Sequence, residues 1–139
     1  MAKNRKFIGD TVRLLDFFRQ YTRMHGSTDM TGIGLEVDGD IVAGVLYESF
    51  NGHNVWMHIQ SRPGALWATK EFIFTVLHYP FVTMGCGRVS AHVNASNYAA
   101  QRFLERVGFR CEAVLSRAAD DGGDVNLYVM WREDFQNVN

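Results

Sequence analysis

The chain has 139 residues, 47% hydrophobic and 21% charged, with 14 Lys and Arg against 15 Asp and Glu for a formal net charge of −1. That composition predicts one globular domain over 1–139 with a core of its own, and the balanced charge argues against a nucleic-acid binder, which works by neutralising phosphates. Cys86 and Cys111, the only cysteines, are too few for a disulfide framework, and neither the basic start MAKNRKFIG nor any later stretch has the apolar run of a signal peptide or membrane span, so a cytoplasmic protein is expected.

In chain order, Asp10 can cap a helix from about Thr11 to Met24, with Leu14, Phe17, Phe18 and Tyr21 on one face and Arg13, Asp16, Gln20 and Arg23 on the other. His25-Gly26-Ser27-Thr28-Asp29 ends it as a loop. A strand from Ile33 to Val37, an Asp38-Gly39 turn and a strand from Ile41 to about Phe50 read as a hairpin; Asn51-Gly52 turns again into a third strand, Val55 to Gln60. Ser61-Arg62-Pro63-Gly64 breaks the pattern. Trp67, Phe72, Ile73, Val76 and Leu77 then predict a helix packed on a sheet, ended or kinked by Pro80. The spacing predicts a strand from Arg88 to Val93 and two closing strands, Phe109 to Ser116 and Val125 to Trp131, joined by Asp120-Asp121-Gly122-Gly123-Asp124. A first strand has room only around Phe7-Ile8, and the basic tail before it reads as a solvated terminus.

The most organised stretch is 88–109. Val89, Ala91 and Val93 alternate with Ser90 and His92, Asn97 stands where an N-cap belongs, and Ala100, Phe103, Leu104 and Val107 form an apolar stripe opposite Gln101, Arg102, Glu105 and Arg106. Gly108 stops the helix in the left-handed conformation and Phe109 folds back.

This arrangement resembles the GNAT acetyltransferase superfamily, in particular the branch of the ribosomal-protein N-terminal acetyltransferases, whose helix reads about N-x-x-S/A-x-x-x-L/Y-E-x-x-G-F. Asn97, Ala100, Leu104, Glu105, Gly108 and Phe109 occupy those places, and the resemblance runs from about Val55 to Met130. It implies an α+β GNAT fold, a mixed and mostly antiparallel sheet of six to seven strands flanked by helices. It also implies acetyl-CoA as co-substrate, and a small-molecule amine or a protein N-terminus as acceptor; a homodimer is admissible.

In that family a loop of the pattern Q/R-x-x-G-x-G/A wraps the cofactor pyrophosphate, because small residues let backbone N–H groups and a helix N-terminus approach the phosphates. Aligning Trp67-Ala68-Thr69 with the family's aromatic-Ala-Thr puts Ala68 at the last small position but Leu66 at the central glycine, with Arg62 and Gly64 displaced and Pro63 inserted. The loop is degenerate. The resemblance implies cofactor contacts from Ile59, Arg62, Gly64, Ala68, Thr69 and Asn97, with Lys70 and Arg102 as further phosphate candidates; Asn97 serves equally as a helix cap alone. The tyrosine that many relatives use as acid is replaced by Leu104, so no proton comes from there. His58 and Glu48 are the base candidates, His58 because imidazole titrates near neutral pH; His92 is weaker and His53 is expected to be exposed. No metal-ligand spacing or nucleophile elbow is present. The changes at Pro63 and Leu66 leave a second reading open: a GNAT-fold binding or structural module without transferase activity.

Overall fold

Among the described residues seven strands and three helices follow one another in the expected order, a fourth helix follows β7, and the strands pair as β1-β2-β3-β4-β5-β7-β6. The computed structural model describes residues 4–138; Met1 to Lys3 of the basic tail lie outside them. β1 (Arg5–Ile8), β2 (Thr31–Val37) and β3 (Asp40–Glu48) are antiparallel neighbours, β4 (Asn54–Ser61) and β5 (Arg88–Asn94) are parallel, and β7 (Val125–Trp131) lies antiparallel between β5 and β6 (Arg110–Leu115). The sheet is therefore mixed, as expected. The described chain divides into two compact units, one formed by 1–50 and 57–78 and the other by 51–56 and 79–139.

In the first unit, α1 (Thr11–Arg19) is capped by Asp10, whose carboxylate accepts from the Arg13 N–H at 3.1 Å. Leu14, Phe17 and Phe18 bury its apolar face with Met30, Ile41 and Leu46. Three glycines let the helix sit close: a Cβ built on Gly32, Gly34 or Gly44 would come within 2.7, 2.6 or 2.9 Å of a Leu14 methyl. The helix stops at Arg19, five residues before the expected Met24. Thr22 and Gly26 are poor helix formers, Arg19 Nε turns back to the Met24 carbonyl at 3.1 Å, and Tyr21, outside the helix, meets Phe17 edge-on. β3 likewise ends at Glu48 rather than near Phe50, because Ser49 leaves the strand with φ 59°. The turn between β2 and β3 has positive φ at both Asp38 and Gly39, as a two-residue type I′ hairpin requires.

α2 (Lys70–His78) starts three residues later than its aromatic spacing suggested, since Thr69 caps it: Thr69 Oγ1 accepts from the Phe72 N–H at 3.1 Å. Phe72, Val76 and Leu77 are buried, and the Tyr47 hydroxyl donates to the Val76 carbonyl at 2.5 Å.

In the second unit a single π-helical turn, Tyr79–Thr83, has Pro80 as its second residue and closes through Met84 N–H to the Tyr79 carbonyl at 2.9 Å. α3 (Tyr98–Val107) has the cap and stop read from the sequence. Asn97 Oδ1 accepts from the Ala100 N–H at 3.1 Å, Gly108 has φ 119°, and Phe109, buried, donates its N–H to the Leu104 carbonyl. Gln101 corrects the expected outer face: it is half-buried and donates to the Ala95 carbonyl at 2.7 Å. A fourth helix, α4 (Arg132–Val138), had no counterpart in the sequence reading. Its signal was Glu133-Asp134, where Asp134 reaches back to accept the Trp131 N–H at 3.1 Å.

Candidate active site

The two residues expected to handle protons meet. His58 Nε2 and Glu48 Oε2 are 2.5 Å apart, with side chains 17% and 24% exposed. Glu48 is the last residue of β3 and His58 the fifth of β4, so the Asn51-Gly52 turn brings them together from ten positions apart. That turn is locally encoded: Asn51 Oδ1 accepts from the N–H groups of His53 and Asn54, and Gly52 supplies φ 95°. A carboxylate at hydrogen-bond distance holds an imidazole in one orientation, which is what a group positioned to receive a proton from an attacking amine needs.

The surroundings leave this pair reachable. β4 buries Val55 and Met57, but from His58 to Ser61 every residue is only half-buried, so both faces of the strand's end are open. Its parallel ladder to β5 runs from Asn54↔Arg88 to Trp56↔Ser90 and stops there. Ile59 stands on the face opposite His58.

The loop after β4 accommodates the two residues that break the family pattern. Pro63 and Gly64 occupy the middle of a turn closed by the Ala65 N–H to the Arg62 carbonyl at 3.1 Å; with Gly64 at φ 78°, it has the signature of a type II turn, where proline is favoured and its missing donor costs nothing. The Leu66 side chain is 87% exposed, so it stands out from the loop rather than filling it. Thr69 spends its hydroxyl on the α2 cap, while the backbone N–H groups of Gly64, Leu66, Ala68, Lys70 and Glu71 have no protein acceptor among the described residues. Those free donors lie in the loop and first turn of α2, the chemistry of an anion cradle.

Arg62 points elsewhere. Its N–H bonds the Val42 carbonyl at 2.8 Å, its guanidinium reaches the Ile41 carbonyl at 3.4 Å, and it lines a cleft of about 280 Å³ with Arg13, Asp16 and Asp40. The cation beside the loop is instead Arg5 of β1, whose Nη2 donates to the Leu66 carbonyl at 2.5 Å. Nothing in the sequence linked residues 61 positions apart. Asn97 belongs to the second unit and acts there as the α3 cap; Arg102 is exposed, and Leu104 is buried. His92 is exposed and lies 5.9 Å from the Trp56 ring, while the exposed His53 rests on Gly87, where a Cβ would fall 2.2 Å from its ring. Among the described residues no cluster of His, Cys, Asp and Glu could hold a metal ion, and no helix is long and apolar enough to cross a membrane.

This seven-stranded mixed sheet flanked by helices is the fold of the GNAT acetyltransferases. A mutant form of the spermidine/spermine N-acetyltransferase of Vibrio cholerae superposes with a TM-score of 0.81 at 14% identity, covering 98% of this chain and 99% of that one. A dodecameric spermidine N-acetyltransferase of the same organism gives 0.80 at 15% identity, with 97% and 98% covered, and a GNAT-family acetyltransferase of Bacillus anthracis gives 0.62 at 18% identity, with 73% and 66% covered. In sequence the chain is similar to an uncharacterized N-acetyltransferase of Methanocaldococcus jannaschii, 28% identical over 96 residues; those cover 68% of this chain and 62% of that protein's length, so the match spans about three-fifths of the curated relative. No family model matches.

Proposed function

We propose that the chain is a GNAT-type domain over 1–139 that transfers the acetyl group of acetyl-CoA to a primary amine. The observation that carries this reading is the His58–Glu48 pair at the open end of β4. A neutral amine attacks the thioester carbonyl carbon, the C–S bond breaks as the amide forms, His58, oriented by Glu48, takes the proton the amine loses, and CoA leaves as its thiolate, which water protonates. Backbone donors of the loop after β4, with Gly64, Ala68 and the α2 N-terminus, hold the pyrophosphate, and Ile59 of the same unit is a further cofactor contact. Arg5 joins this set as a cation tied to the loop.

The solved structures named as spermidine N-acetyltransferases support a small cationic amine as acceptor over a protein N-terminus. The alternative, a binding module without transfer activity, draws on Leu66 at the family's central glycine.

Release of free CoA thiol, measured with acetyl-CoA and a panel of primary amines including spermidine, tests the proposal. Wild-type protein should release thiol in an amine-dependent manner, and His58→Ala should lower kcat by about 10²- to 10⁴-fold, the usual range for a general base. Equal rates for wild type and His58→Ala would remove the proposed base.

A further inference from the structure

We infer that Asp29 is a positioning residue for this site: its carboxylate holds the backbone at Ser49 in the left-handed conformation and so fixes Glu48, the neighbouring residue, against His58. The inference rests on the transferase reading for its kinetic consequences, but its geometry stands apart from it.

Ser49 has φ 59° without being glycine, a conformation that costs an L-residue energy and persists where surrounding contacts impose it. The contact here is Asp29, whose Oδ2 accepts the Ser49 N–H at 2.8 Å while its Oδ1 accepts the Ser27 hydroxyl at 2.8 Å. The Ser27 bond aims the carboxylate, and the Ser49 bond uses it. Both bonds, with the Ser27 hydroxyl the larger influence, hold the Asp29 carboxyl below the usual aspartate range, so the acceptor is ionised at neutral pH. Ser49 follows Glu48 directly, so the abrupt exit from β3 sets where the Glu48 side chain leaves the strand. Ser27, Asp29, Ser49, Glu48 and His58 thus form one connected series within the first unit. Asp29 touches neither His58 nor the Glu48 carboxylate; it acts through the chain.

Three variants separate positioning from a plain loop tether. Asp29→Ala removes the acceptor. Asp29→Asn keeps a carbonyl oxygen for the Ser49 N–H, and its amide can donate to the Ser27 hydroxyl oxygen. Asp29→Ala combined with Ser49→Gly removes the acceptor but also the need for it, since glycine adopts positive φ freely.

The first readout is the downfield proton resonance of the short His58–Glu48 hydrogen bond, observed by NMR without any substrate; the second is kcat and KM in the thiol-release assay. Asp29→Ala should lose or broaden the resonance and lower kcat about 10- to 100-fold, the scale of an ångström misplacement, with KM for acetyl-CoA little changed. Asp29→Asn and the double variant should keep the resonance and recover most of kcat. A wild-type resonance in Asp29→Ala, or a folded double variant no better than Asp29→Ala, overturns the inference. If the resonance follows this pattern while wild type acetylates no amine, the transferase reading fails and the positioning of Glu48 by Asp29 stands.

Discussion

Glu36 is a charged side chain 6% exposed in β2, and its environment explains how the fold tolerates it. Arg13 Nη1 lies 2.7 Å and Lys6 Nζ 3.5 Å from its oxygens, and the Arg13 hydrogen bond is the main reason its carboxyl is held below the ordinary 4.5. A carboxyl with a depressed folded-state pKa contributes stability that is complete above 4.5 and lost as pH falls through the lower folded value. Thermal unfolding followed on acidification should therefore show Tm declining below about pH 4.5 in wild type, and a shallower decline in Glu36→Gln; identical profiles would mean the pair does not contribute. Tyr128 behaves oppositely at the alkaline end. Burial, with Glu105 nearby, pushes its hydroxyl up to about 12 from 10, so its contribution fades as pH rises between those values.

At this same scale His58 and Glu48 were readable as candidates because each has suitable chemistry on a strand near the expected cofactor loop. Their 2.5 Å contact was not readable, since it depends on how the Asn51-Gly52 turn sets two strands side by side. Arg5 and Asp29 were missed for the same reason: each gains its role from a partner 61 or 20 positions away, and an isolated Arg or loop Asp carries no periodic signal.

Among the elements, α3 was legible from end to end because both its cap and its stop are local. Asn97 accepts from within the first turn and Gly108 at φ 119° adopts a conformation that side chains resist. Asn97→Ala should lower stability by about 1 kcal/mol in a denaturation curve, as loss of an N-cap does. The start of α2 was misjudged by three residues because Trp67 continues the aromatic spacing, while the helix begins only after the Thr69 cap. α1 was overextended because Tyr21 keeps the apolar period after the backbone has already turned.

The seat of α1 on the sheet makes a sharper prediction. A Cβ on Gly34 would lie 2.6 Å from a Leu14 methyl and 3.1 Å from Ile8 Cγ1, and Leu14 is fully buried with no room to retreat. Gly34→Ala should destabilise by about 1–3 kcal/mol, the cost of overpacking a filled core. A neutral result would show that α1 can slide. The glycines themselves were visible in the sequence, but only the helix above them reveals why side chains are excluded there.

For the whole molecule, the order of elements along the chain and the fold class were recoverable because most strands and the principal helices carry their own alternation, turn or cap, whereas the place of β7 between β5 and β6 was not. What the order of elements cannot convey is the state of the loop after β4, where Pro63 and Leu66 look disabling in a linear comparison. In space Pro63 sits in a turn that favours it and the Leu66 side chain is exposed, leaving backbone donors free. Under the transferase proposal this loop receives acetyl-CoA beside the His58–Glu48 pair. Calorimetric titration of the purified protein with acetyl-CoA tests it most directly, since a ligand of the native state also raises apparent stability in a parallel thermal scan. Micromolar binding with a matching rise in Tm is expected; no heat and no shift at millimolar acetyl-CoA would contradict the account and leave a GNAT-fold module without a co-substrate.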